Sequence, residues 1–141
     1  MSYFPNFLKN LFNINKPNNT DPLIVAAKVI GINKHPNADR LRVVRLDVGD
    51  RVVGPVVCGA FNFGVGDMVA LALPGAEIKQ NIHSDDHQPF ILEKANIRGI
   101  ESQGMICAEF ELGLGPLSEK PEIMVLKSSA VPGSQFTQEM I

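Results

Sequence analysis

Leu41-Arg42-Val43-Val44-Arg45-Leu46-Asp47-Val48-Gly49-Asp50-Arg51-Val52-Val53-Gly54-Pro55-Val56-Val57-Cys58 is the stretch on which the fold turns. Leu41, Val43, Arg45 and Asp47 alternate with Arg42, Val44, Leu46 and Val48, the period of a strand with two different faces. Gly49-Asp50 turns the chain back, and Val52 to Cys58 returns as a second strand whose Gly54-Pro55 demands an edge or a bulge. Upstream, Leu23 to Ile32 is a β-branched apolar run, with Gly31 marking a bulge. Downstream, Gly64-Val65-Gly66-Asp67 is a turn before a strand over Met68 to Leu73. Pro74 to Pro89 reads as a loop, Phe90 to Ile97 and Gly104 to Cys107 as strand segments, Ala108 to Leu114 as one helical turn, and Met124 to Leu126 as a further short strand. Short strands, Gly-rich turns and no long helical period predict an all-β chain. The economical architecture is a five-stranded, partly open Greek-key barrel with short flanking helical segments and an added C-terminal strand. Spacing and branching place Val29, Val43, Val57, Val69, Leu71 and Ile106 inward.

Residues 1–20 differ from the rest. Phe4, Phe7, Leu8, Leu11 and Phe12 recur at helical spacing, and Asn13 to Asp21 is rich in Asn and Pro, so an amphipathic helix and a linker are expected before a barrel domain at 21–141. Packing of that helix on the barrel is favoured over docking to a partner, because exposed Phe side chains invite aggregation.

The chain has 141 residues, 45% of them hydrophobic, no Trp and one Tyr. That suits one small barrel filled by branched side chains. The net charge of −2 argues against strong nucleic-acid binding, since Lys and Arg supply most of the non-specific affinity for phosphate. The charge is unevenly placed, however. Lys28, Lys34, Arg40, Arg42, Arg45 and Arg51 face only Asp39, Asp47 and Asp50 in the same span, whereas acids dominate from Asp85 onward. Cys58 and Cys107 are too few for a disulfide framework or a zinc site, and are expected as reduced thiols. His83 and His87 share a polar loop without a third soft ligand, so no metal is expected there. No apolar run suits a bilayer, and a cytoplasmic protein without a membrane partner is expected. Neither phosphate-binding Gly-Lys-Ser nor a nucleophile with a supporting base is present, so catalysis and cofactors are not predicted.

Two cassettes stand out: His35-Pro36-Asn37-Ala38-Asp39-Arg40-Leu41, and Arg98-Gly99-Ile100-Glu101-Ser102-Gln103-Gly104-Met105-Ile106-Cys107. Val57-Cys58-Gly59-Ala60-Phe61-Asn62 lies between them and Glu111-Leu112-Gly113-Leu114 follows. This order resembles the tRNA-binding OB-type domain of the bacterial phenylalanyl-tRNA synthetase β-subunit and, more distantly, methionyl-tRNA synthetase tails and free-standing tRNA-binding proteins. Leu73 to Ile78 and the long segment before Arg98 place the resemblance nearer the phenylalanyl branch. It covers about Leu23 to Ser134, whereas such a subunit is much longer, so an excerpt, a truncated paralogue and an independent protein all remain open.

The resemblance implies an OB-fold and tRNA as partner. Under it, Arg40, Arg42, Arg98 and Lys28 face phosphates, Asn62 reads a base edge or sugar, Ser102 bonds sugar or phosphate, and Met105 offers a deformable surface to a base. Phe61 stands where the phenylalanyl pattern usually has Pro. Two readings of it stand: a stacking platform for a base, or a ring that closes the barrel end. Similarly, the Pro-Asn-Asp turn, Gly99 and Gly104 have a purely architectural reading as turn and corner residues. The alternative function is a structural module that packs against synthetase subunits or a second copy, with little tRNA affinity.

Overall fold

The computed structural model describes residues 21–141. The expected helix and linker over residues 1–20 lie outside them. The strands are β1 (Ile24–Lys34), β2 (Arg42–Asp47), β3 (Val52–Cys58), β4 (Met68–Ala72), β5 (Glu77–Ile78), β6 (Phe90–Ile91), β7 (Ala95–Ile97), β8 (Ile100–Ser102), β9 (Met105–Ile106) and β10 (Val125–Leu126). Single 3-10 turns form at Phe110–Leu112 and Gln138–Met140. The main sheet is antiparallel in the order β10-β4-β1-β2-β3, with β9 also pairing with β4.

This sheet curls into a half-barrel, and two hydrogen bonds stitch its far edge. Gln103 N donates to Pro55 O at 2.8 Å, and Val57 N donates to Ser102 Oγ at 3.0 Å. The junction of β8 and β9 thus joins β3 to β4, and the chain is an all-β, OB-like barrel. Gly104 makes the corner possible: a Cβ there would stand 2.7 Å from Ala72 O.

Two bulges set which side chains face in. Val29 pairs with Leu46 but Gly31 pairs with Arg45, so one residue is extra in β1 next to the glycine. Val44 pairs with Val56 while Leu46 pairs with Val53, which leaves Gly54-Pro55, joined by a cis peptide bond, as the bulge of β3. An odd spacing between two inward residues, Val53 and Val56, is feasible only because the bulge resets the pleat.

The expected inward set needs correction at this point. Val29, Val69, Leu71 and Ile106 line the barrel interior. Val43 is half-buried, and Val44, Leu46 and Val48 point inward instead. Val57 is buried, but not within the interior cluster. Val43 and Val57 are cross-strand partners, so both shift in phase together.

A second apolar layer was not foreseen. Ile24, Ala26, Met68, Ala70, Ala72, Ile78, Leu92, Leu112 and Phe136 form a separate cluster on the outer side of β1 and β4. The expected loop at 74–89 contributes β5, which pairs with β6. β4 is therefore buried on both faces, as its unbroken Met-Val-Ala-Leu-Ala run permits. Fully buried Phe136 and Ile78 each contribute roughly 1.5–3 kcal/mol through this layer.

Candidate nucleic-acid interface

The two cassettes dock on each other. The first forms the loop between β1 and β2, with His35 N donating to Leu41 O. Its His35 side chain is 1% exposed, and Nδ1 accepts from Asn37 N at 3.0 Å. That acceptance leaves Nε2 as the protonated nitrogen, which donates to Ile97 O at 3.0 Å. Asn37 Nδ2 donates to Arg98 O, and Arg98 Nη2 donates back to Asn37 O at 3.3 Å.

The second cassette opens with a hairpin that the sequence reading split differently. β7 and β8 pair as an arm, Ala95 opposite Ser102 and Ile97 opposite Ile100. Arg98 and Gly99 form its two-residue loop, with φ of 54° and 97°. Both central residues of such a loop take positive φ to match the twist of the strands, and Arg98 accepts a conformation that Asn or Gly adopts more readily. Asn96 Oδ1 supports the loop by accepting from Gly99 N. Arg98 is thus presented at the tip of the arm, exposed and beside the first cassette.

Arg42 lies at the base of the β1–β2 loop, opposite Lys34. Its guanidinium packs between two rings, 4.7 Å from the centroid of Phe61 and 4.5 Å from that of Phe63. Nη2 donates to Ala60 O and Phe63 O, and Nε is buried without a hydrogen bond. Phe63 is buried, whereas Phe61 is 56% exposed and offers a ring face to solvent over a cation. Asn62 pins this loop: its amide donates to Ile123 O and accepts from Ile123 N.

The β1–β2 loop thus carries Lys34 and Arg40, meets Arg98 through Asn37, and at its base holds Arg42 against Phe61, the neighbour of Asn62. Lys34 forms an exposed pair with Asp39 at 3.6 Å, and Arg51 pairs with Asp50. Among the described residues Arg40, Arg42, Arg98, Arg45 and Lys28 make no ion pair.

The other candidate residues lie elsewhere. Lys28 pairs with Asp47 and Met68, six positions along β1 from Lys34, about 20 Å at strand rise. Ser102 is 3% exposed; its hydroxyl accepts from Val57 N and donates to Gly104 O. Met105 packs against the outer apolar layer. Arg45, outside the candidate set, is seated by two glycines. Its guanidinium lies across Gly31, where a Cβ would come within 2.8 Å of Nη2, and its stem lies against Gly54. A glycine on each neighbouring strand was the available signal, but only the register shows that they flank one arginine.

The remaining buried ionisable groups belong to the core. Burial pushes the Glu111 carboxyl up to about 7, against the opposing bond from Ala108 N. Burial likewise raises the free thiols of Cys58 and Cys107, which disfavours the reactive thiolate. His87 packs edge-on against Phe110, and among the described residues no three His, Cys, Asp or Glu side chains group in a way that would hold a metal ion. No helix among them is long and apolar enough to cross a membrane.

An OB-like barrel that carries an exposed ring over an arginine and, among the described residues, further cations outside any ion pair at one end has the make-up of a binding module. Residues 24–135 match the family described as a putative tRNA binding domain, and the chain belongs to that family. It is similar to phenylalanine-tRNA ligase beta subunits, at 44% identity over 106 residues for that of Wolinella succinogenes, which covers 75% of this chain and 12% of that protein. The Ralstonia nicotianae subunit is 45% identical over 113 residues, covering 80% of this chain and 13% of that one. For Bdellovibrio bacteriovorus the identity is 38% over 115 residues, 82% and 13%. The chain thus spans about an eighth of the length of these relatives.

Proposed function

We propose that the chain binds tRNA on the barrel end where the cassettes meet, as a module that supports aminoacylation within or beside a ligase assembly. The observation that carries this reading is the β1–β2 loop, which carries Arg40, is bonded through Asn37 to Arg98, and at its base holds Arg42 against the exposed ring of Phe61. Cations there attract phosphates, and the open face of Phe61 stacks on an unpaired base. Lys28, Ser102 and Met105 drop out of the direct contacts. Asn62 positions the loop, although its exposed amide keeps one N–H for a sugar or base. Cytoplasmic residence and ligase subunits as further partners accord with this reading. The purely structural alternative rests on the acidic composition alone, and the clustering of cations removes its motive.

The test is fluorescence anisotropy of labelled bulk tRNA with the full chain at about 50 mM salt, where screening is weak. Saturable binding that weakens on Phe61→Ala is expected. Absence of binding by the wild type would overturn the reading.

A further inference from the structure

The start of β3 and the root of the β7–β8 arm enclose a second feature, an open cleft of about 350 Å³. Leu23, Val52 and Leu73 give it an apolar wall, while Arg51 and Lys94 provide two cations beside Gln103, whose side-chain N–H groups are bonded to Glu101. No carboxylate lines it, in a chain whose net charge is negative. Gly54 lines its floor with backbone, and the stem of Arg45 packs where a side chain of that residue would stand. The nearby acids are committed or exposed. Asp21 accepts from Leu23 N and Glu77 N, Glu101 accepts from Gln103 Nε2, and Asp50 meets Arg51 in an exposed pair at 3.4 Å of the kind that contributes little. An apolar wall facing a few convergent donors is the make-up of a site for an amphipathic anion. Lys94 and Arg98 stand at the two ends of one strand, about 13 Å apart, so the cleft and the cassette end lie along a single arm.

We propose that this cleft holds one unpaired nucleotide of a bound RNA, its phosphate between Arg51 and Lys94 and its base against Leu23, Val52 and Leu73. The inference rests on the tRNA-binding reading and adds a second contact to it. Arg51→Gln with Lys94→Gln is the direct variant, compared with Arg40→Gln and Arg98→Gln; all four side chains are exposed, so the fold tolerates the changes. The cleft variant gives up one neutralised phosphate and is expected to flatten the dependence of log K for tRNA on log salt by about one unit, additively with the cassette variant. A mixture of the four nucleoside 5′-monophosphates should shift the amide resonances of Gly54 and Gln103 in the wild type and not in the cleft variant, and inorganic phosphate at equal concentration should shift them less. An unchanged salt slope overturns the RNA contact, even if mononucleotides bind. Equal shifts with phosphate alone overturn the nucleotide assignment. Loss of slope in the cassette variant only sinks the cleft and spares the functional reading, whereas no tRNA binding by the wild type sinks both.

Discussion

Ser102 lies in the second cassette and Phe61 in the block between the two cassettes, and their surroundings divide them. The Ser102 hydroxyl bridges Val57 N and Gly104 O inside the barrel seam. Ser102→Ala is therefore expected to lower stability by about 1–3 kcal/mol in denaturant titration, through two buried groups left unpaired, while the salt slope of tRNA binding stays as it is. Phe61→Ala should do the reverse. Half-exposed, the ring contributes little to the core, and its loss is expected to weaken tRNA binding by about 1–3 kcal/mol with a small change in unfolding midpoint. Residue chemistry was legible in the sequence for both, but exposure was not. Serine at a strand end suits a sugar contact and a seam equally, and only the closure of β3 against β8 decides between them. Val43 was misread for a related reason: strict alternation assigns phases only up to the next bulge, and the alternation around it fits either phase.

At the scale of elements, the β7–β8 arm and the β1–β2 loop stand or fall together through His35. His35→Ala leaves Asn37 N–H and Ile97 O without their partner, so faster hydrogen exchange at Asn37 and Gly99 is expected, with a loss of roughly 1–3 kcal/mol. The strand periods, the glycine bulge of β1 and the bulged edge of β3 were all readable from β-branched runs and Gly-Pro punctuation. The arm itself was not, because three-residue strands around Arg98-Gly99 carry no alternation long enough to register, and a positive φ at arginine runs against propensity. The 3-10 turn at Phe110–Leu112 brings a further prediction. Glu111 binds its proton more tightly folded, near 7, than unfolded, near the ordinary 4.5, so the folded state holds the extra proton between those values. Stability is then greatest at or below about pH 4.5 as far as this group is concerned, and it falls as pH rises toward 7, by up to about 3 kcal/mol. Glu111→Gln keeps an acceptor for Ala108 N and should remove that slope when urea unfolding is compared at pH 5.5 and 7.5.

For the whole molecule, one sheet separates two apolar layers. The barrel interior was foreseen from branched residues at strand spacing, whereas the outer layer is assembled from Ile78, Leu92, Leu112 and Phe136, scattered through an expected loop, an expected short strand, an expected helical turn and the C-terminal stretch. Nothing local marks such residues as partners; contacts distant in sequence create the layer, and its covering of β1 and β4 leaves the cassette end and the β3 edge as the basic surfaces. The net charge of −2 accordingly understates what the cassette end offers to a polyanion. The central claim is that tRNA is held there by exposed, unpaired cations, and the slope of log K against log salt for the wild type and for Arg40→Gln/Arg98→Gln measures it most directly. The account predicts saturable wild-type binding and a slope flatter by about two units in the variant; equal slopes for the two proteins would contradict it.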